Sequence, residues 1–530
     1  MVARYEVTHL IPKARTTADP SSTKRAFNAS LFLTDSEGKT RPYLAEAQPQ
    51  LNTDTWRVFP DGRMETTYRL RPNLTWHDGT PLTADDFVFT WRVYSHPGLG
   101  VFPVSPQNLM EAVLAPDPRT LVIQWRAPYP DAAAIQMEDF DPVPRHIMEQ
   151  PFANLEADPS SADGFLAHSY WMSEYVGAGP YRLVRWEPGA SFEGAAFDGH
   201  VLGRPKVERI VIRIMPDDNV VLSNILAGAI DYAALRFEHG LVLQRDWVPQ
   251  KKGKVILNRG GTVSQQVQLR PEYAGHQGLL DVRVRRAIAH STDRAAVNDG
   301  VFEGQGFPTD TMASQTEPFY AELDRTMMHY PYDLRRTDQL MNEAGFAKDR
   351  DGFFANPAGD RYHLDFQTVA GSEFERVQLI LTNGWRQAGI PVDPSILPSV
   401  QVRDGQPRHT FPGIATRGGS LTERAWLSWE VGSQDNRWQG DNRSGWVNAE
   451  YDRLWEGFTT TLDRGERTRQ FIQMQRLLSE ELPVLFTHFA VPMTIHISAL
   501  KVPDPNDANG TGTLTLPTLK YWNMQEWEWQ

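Results

Sequence analysis

Along most of the chain the apolar positions switch between a period of two residues and a period of about 3.6. "ETTYRLR" (65–71) alternates and reads as a strand. "PKVERIVIRIM" (205–215) does the same, and "DDNVVLSNILAGAIDYA" (217–233) follows as a helix closed near Gly228 and then a short strand. "DVRVRRAIAHSTDRAAVNDGVF" (281–302) carries the spacing of two short helices. Two later segments share one grammar. Asp333 caps a helix with Leu334, Thr337, Leu340, Met341 and Ala344 on its apolar side, ended by Gly345. Phe374, Val377, Leu381, Trp385 and Ala388 line one face of a second helix, ended by Gly389. Each of these helix–glycine units is expected to feed an extended segment of a βαβ layer. Tyr451, Leu454, Trp455, Phe458 and Leu462 mark another amphipathic helix, and "PVLFTHFA" (483–490) a buried strand. Strands alternating with helices predict an α/β architecture.

"LTWHDGTPLTADDFVFTWRVY" (74–94) crowds His77, Asp78, Asp85 and Asp86 between tryptophans, as a catalytic centre would. A structural reading accounts for each acid. Asp78-Gly79 makes a turn, Thr83 and Asp86 form a capping box, and Asp85 sits in the first helical turn, where the helix dipole favours negative charge. Phe87, Val88, Trp91 and Tyr94 then supply a buried stripe.

The 530 residues are enough for two to four domains, and 40 % hydrophobic with 22 % charged residues is a globular composition. No apolar run reaches the roughly 18 residues of a membrane span, and the opening MVARYEV has no basic-then-apolar leader, so a secretion signal is expected to be either absent or already removed. A net charge of −13 disfavours nucleic acid and anionic lipid as partners. The absence of cysteine excludes disulfides, thiol catalysis and cysteine-held metal. There is no GxSxG, GxxxxGK[ST], HExxH or strand-linked GxGxxG pattern. Asp349 and Asp351 in "KDRDGFF" fit a hairpin turn better than a calcium loop, because the closing Glu is missing. His488 and His496 lack a third ligand, so no metal and no cofactor is expected.

"LRPNLTWHDGTPLTADDFVFTW" resembles the signature of the family 5 extracellular solute-binding proteins, the peptide-, oligopeptide- and nickel-type receptors of ABC importers. Further landmarks follow in the family's order: "PYLAEAQPQ" (42–50) before it, then "GAGPYRLVRWEPG" (177–189), "LAGAIDYA" (226–233), "DVRVRRAIAHSTDR" (281–294), "YDLRRTDQLMNEAGF", "WRQAGI" and "NRSGWVNAEYDRL" (442–454). The resemblance covers residues from about 40 to 500. It implies an α/β type II periplasmic-binding-protein fold, with two lobes, a hinge and an inserted α+β subdomain. Lobe I would take residues 1–40, 175–262 and 491–530, the inserted subdomain 41–174 and lobe II 263–490. It further implies a periplasmic or extracellular receptor, monomeric, that closes on a small-molecule or peptide ligand and delivers it to the transmembrane subunits of an ABC permease.

In peptide-binding members of that family, an Asp just after a Trp, ahead of the Asn-x-Ser-Gly motif, holds the ligand's α-amino group. Here Arg417, Gly418 and Gly419 occupy that neighbourhood. A guanidinium suits carboxylates and other planar anions, so an anionic or aromatic solute is expected in place of an ordinary peptide. Trp426, Trp429, Trp438 and Trp446 are candidate aromatic contacts; each would remove about 150–250 Å² from water if wholly buried. Gln266, Gln268 and Arg270 alternate on one face with Ser264 and read either as ligand contacts or as the polar face of an edge strand. Rival readings are a di- or oligopeptide receptor, a metal-chelate receptor, a hydrolase with a carboxylate pair, and a sensing domain that closes without transport.

Overall fold

The structure is a computed structural model that describes residues 1–4, 7, 9–13, 24–35, 38–99, 106–398, 401, 404–419, 421–503 and 521–530. The turn-rich stretch "PDPNDANGTG" (503–512), which its composition marks as a loop, lies outside the described residues beyond Pro503. The chain forms two compact units, Met1–Arg259 with Pro492–Gln530, and Gly260–Val491, and so passes from one to the other twice. No described helix is long and apolar enough to cross a membrane.

The first unit contains three larger sheets. One orders the strands Val2–Ala3, Arg209–Ile214, Ser191–Ala196 and Tyr181–Glu187. Another places Met493–Ile497 between Tyr232–Leu235 and Gly253–Leu257, antiparallel to both. The third is an antiparallel sheet of Trp56–Val58, Met64–Arg69, Thr120–Trp125 and Met110–Asp117. Its partner helix, Ala84–Tyr94, starts with the expected capping box, in which the Thr83 N–H donates to Asp86 Oδ2 at 2.8 Å. The buried face differs from the expected stripe. Phe87, Phe89, Thr90, Val93 and Tyr94 are buried, whereas Val88 and Trp91 are half-buried. The helix packs against strand Met110–Asp117 and also against helix Arg145–Ala157, and two covering neighbours shift and widen its apolar face.

His77 and Asp78 are scaffold. The Gly177 N–H donates to His77 Nδ1 at 3.2 Å, and His77 Nε2 donates to the Gly179 carbonyl at 3.0 Å. Asp78 accepts the Thr80 N–H and pairs with His146 at 2.7 Å. Two family landmarks, one around residue 77 and one around residue 178, are therefore halves of a single joint. Burial pushes the His77 imidazole down to about 4 and His200, which accepts from the Tyr43 hydroxyl, down to about 3. Unfolded, each titrates near 6.5. Below that pH the unfolded chain takes up protons that the folded unit refuses, so this contribution to stability is complete above about pH 6.5 and declines as pH falls toward 4. Melting temperature is expected to drop across that window, with a shallower slope in His77→Gln. Equal slopes in the two proteins would exclude His77 as a source.

The second unit is built on a six-stranded sheet in the order Phe307–Pro308, Val484–Phe489, Thr262–Val267, Ile414–Arg417, Leu364–Val369, Val392–Leu397. Helix Ser372–Ala388 joins the parallel strands Leu364–Val369 and Val392–Leu397, with Gly389 left-handed at its end (φ 99°). This is the expected βαβ layer. Helix Leu334–Glu343 is capped by Asp333 as expected, but it leads into the hairpin Ala347–Lys348/Phe354–Ala355 and not into a parallel strand. The turn itself reverses the chain: Asp349 accepts the N–H groups of Asp351 and Phe353 and pairs with Arg361. The calcium-like pattern is thus a braced turn. Helix Ala449–Thr460 buries Tyr451, with Leu454, Trp455 and Phe458 packed partly against the core; it ends before Leu462. Strand Val484–Phe489 is wholly buried. His488 and His496 stand on separate strands of different units, and among the described residues no cluster of three metal-type donors occurs.

Candidate functional site

Strand Thr262–Val267 lies between Val484–Phe489 and Ile414–Arg417 and is buried throughout, so the edge-strand reading of Gln266 is corrected. Ser264 stands opposite Arg417 and Gln266 opposite Ala415. Directly opposed residues of an antiparallel pair share a face, as do residues two apart. Ser264, Gln266 and Arg417 therefore project from one side of the sheet. Gln265 projects from the other, where its Oε1 accepts the Thr416 hydroxyl.

Gln268 is fully engaged. Its amide donates to the carbonyls of His409 and Phe411, and its Oε1 accepts from Arg270. Arg270 in turn donates to the carbonyls of Gly432 and His409 and lies over the Tyr273 ring. Both residues fasten the loops that follow. Gln266 is different: it is 1 % exposed, and neither its Oε1 nor its Nε2 has a partner among the described residues. Leaving a buried polar group unpaired costs about 1–3 kcal/mol.

The Arg417 fork is occupied. Its two terminal nitrogens donate to the Asp441 carbonyl and to Asp441 Oδ1, each at 2.7 Å. Burial alone would raise the Asp441 carboxyl, but the Arg417 charge and hydrogen bond hold it below its usual range. Glu430 braces this loop: its carbonyl accepts the Asn442 N–H, one carboxylate oxygen accepts the Asp441 N–H, and the other pairs with Arg424. Asn442, fully buried, donates to the carbonyls of Leu427 and Trp446 and accepts from Ser444 and Gly445.

Asn442, Ser444 and Gly445 of the "NRSG" motif are thus used for folding, and the residue between them is left over. Arg443 makes no hydrogen bond or ion pair among the described residues, and its Nε is buried. Burial, then the charges of Arg417 and Arg408, drives its pKa well below the ordinary value. A guanidinium does not release its proton in a protein, so Arg443 keeps its positive charge here. His409 nearby is held neutral, pushed down to about 4 chiefly by burial.

The remaining candidates divide. Trp426 and Trp446 belong to the hydrophobic core with Tyr451, Met474 and Phe486, and Trp446 Nε1 donates to Glu481. Packing accounts for both. Trp429 is 54 % exposed on the surface. Trp438 is half-buried beside His409 and Tyr273 and has a left-handed backbone (φ 58°), as does Arg437. A Cβ on Gly418 would meet the Phe374 ring at 2.6 Å, whereas Gly419 (φ 115°) faces open space. The structure therefore sets Arg417 and, through His409, Trp438 near Arg443, with Gln266 on the same sheet face as Arg417. The sequence reading missed Arg443; its signal was an arginine at the variable position of a motif whose other members are structural.

The fold belongs to the class of two-unit solute receptors. The chain is similar to the oligopeptide-binding protein AppA of Bacillus subtilis, 21 % identical over 86 % of this chain and 82 % of that protein. Among solved structures it is similar to the oligopeptide-binding protein of Thermus thermophilus complexed with a pentapeptide (TM-score 0.76, 22 % identity, 100 % of this chain and 96 % of that one). It is also similar to NikA of Brucella suis in complex with Fe(III)-EDTA (TM-score 0.74, 17 % identity, 100 % of this chain and 99 % of that one). The model of the bacterial extracellular solute-binding proteins, family 5 Middle, matches residues 46–430, and the chain belongs to this family. It is a substrate-binding protein of the ABC-importer type.

Proposed function

We propose that the protein is a non-enzymatic receptor for a small anionic solute, outside the cytoplasmic membrane, which as a monomer hands that solute to the transmembrane subunits of an ABC permease. The observation that carries the reading is the half-buried Arg443 side chain, its Nε buried and without a partner among the described residues, beside the Arg417–Asp441 pair. Gln266 offers an amide donor and acceptor from the neighbouring strand, and Trp438 an aromatic surface. The two chain crossings, at 259–260 and 491–492, serve in this reading as the hinge. Of the similar structures, one holds a pentapeptide and another Fe(III)-EDTA, a complex rich in carboxylate groups, and the arginines of this chain suit carboxylate oxygens.

The rival hydrolase reading would need a carboxylate pair. Asp139 and Asp141 of the first unit have raised pKa values through burial, Asp139 to about 6, but each accepts a backbone N–H of its own turn. Asp141 is wholly buried. They brace a loop.

Thermal-shift measurement separates the readings. Carboxylate solutes are expected to raise the melting temperature without being consumed, and uncharged analogues are expected not to. A shift with neutral or zwitterionic peptides alone would return the protein to the peptide receptors, and turnover of any stabilising solute would end the receptor-only reading.

A further inference from the structure

The charge around Arg443 is unbalanced by more than one unit. The groups that act on it are the guanidiniums of Arg417 and Arg408 and the carboxylate of Asp441. Among the described residues, and with Arg443 itself, three positive charges face one negative charge, a surplus of two. Asp441 is already committed to Arg417, and Glu430 to Arg424. Arg408 uses its Nε on the Asp404 carbonyl, which neutralises nothing. On the sheet face shared with Arg417, the Gln266 amide is buried with both ends unpaired among the described residues, and its cross-strand neighbour is the small Ala415. A cationic surplus in a chain of net charge −13 is not a property of its average surface.

We infer that the solute of this receptor carries two separated anionic groups, with a hydrogen-bonding group between or beside them. Arg443 takes one carboxylate through its forked donors, Arg408 with the outer edge of Arg417 takes the second, and Gln266 reads the polar group. A monoanion leaves one of these partly buried cations without a partner, so the site discriminates by charge number as well as by sign. The inference rests on the anionic-solute reading above and narrows it to dicarboxylates and polycarboxylates.

The test uses the full chain and titration calorimetry with glutarate, its monoamide, the neutral diamide, and trialanine as a zwitterionic control. Glutarate is expected to bind at least tenfold more tightly than the monoamide. Arg443→Gln is expected to erase that margin, bringing the two to similar affinity, and Arg443→Lys to restore part of it. Circular dichroism melting of each variant checks that it is folded. Equal binding of glutarate and monoamide to the native chain would overturn the two-anion inference while leaving the anionic reading intact. Tighter binding of trialanine than of any carboxylate would overturn both. Absence of binding by glutarate at millimolar concentration would also overturn the inference, as would a margin unchanged in folded Arg443→Gln.

Discussion

Gly179→Ala is expected to remove about 4 kcal/mol or more of stability from the first unit, enough to broaden or abolish its cooperative melting. A methyl group at this position would lie 2.4 Å from both the Asn28 nitrogen and the Phe27 carbonyl carbon, and 2.9 Å from the Ala26 oxygen. All three are backbone atoms, and that backbone is pinned: Gly179 and Tyr181 donate to the carbonyls of Phe27 and Ala26. No flexible side-chain end is available to swing away. Gly177 is tighter still, its Cβ position being 2.0 Å from the Phe27 oxygen. Moving residues 177–179 also breaks both His77 bonds, so the damage spreads to helix Ala84–Tyr94 and the antiparallel sheet it packs on. Gly164→Ala is the matched control. It sits in helix Ala162–Leu166 with nothing within 4 Å, and there alanine should be neutral or stabilise by about 0.5–1 kcal/mol. Thermal melts followed by circular dichroism decide the matter; a Gly179→Ala protein melting within a few degrees of the native one would sink this account.

That close approach explains why so much of the fold was legible. The landmarks that identify the family are positions where backbone crosses backbone or where a cap fixes a helix start, and such demands leave residue-level marks. Thr83 with Asp86, Asp333, Gly345 and Gly389 could each be read because capping and left-handed turns admit few residue types. What was not legible depends on tertiary cover. Val88 and Trp91 have the right spacing for the core, but a second helix across the first decides which face is buried. The destination of helix Leu334–Glu343 was misread for a similar reason: Asp349 closes a hairpin locally, and the helix pattern carries no information about the strand that follows.

The site was legible only in outline. The resemblance drew attention to Arg417 as standing where the family places an ammonium anchor; its guanidinium is bonded to Asp441, 24 residues further on, a pairing no local pattern announces. Trp426 and Trp446 looked like binding aromatics because composition cannot distinguish a cleft from a core. Arg443 was overlooked because it sits inside a motif. Its neighbours Asn442 and Ser444 are claimed by five described hydrogen bonds of the local turn, and the unclaimed residue becomes visible only once those bonds are assigned.

Gly440→Ala should therefore disable binding while sparing the core. Gly440 has φ 119°, and an added Cβ would fall 2.1 Å from the Glu430 carbonyl oxygen. That same oxygen accepts the Asn442 N–H, so relieving the clash shifts residues on both sides of Asp441. Arg417 then loses the carbonyl and carboxylate that orient it, and Arg443 loses the turn that presents it. The strain in the left-handed backbone is about 1–3 kcal/mol, and displacement of two charge-bearing groups by about 1 Å is expected to weaken anion binding by about tenfold to a hundredfold. The hydrophobic core around Trp426 and Tyr451 involves neither residue 440 nor 441, so the unit stays folded. Asp441→Asn separates geometry from charge. It keeps the backbone carbonyl bonded to Arg417 and removes a negative charge from the cluster, so anions should bind at least as well as to the native chain. If Asp441→Asn instead loses affinity as severely as Gly440→Ala, the carboxylate is required at the site, to hold Arg417 or to meet a positive group of the solute, and the expectation that its charge opposes binding is overturned.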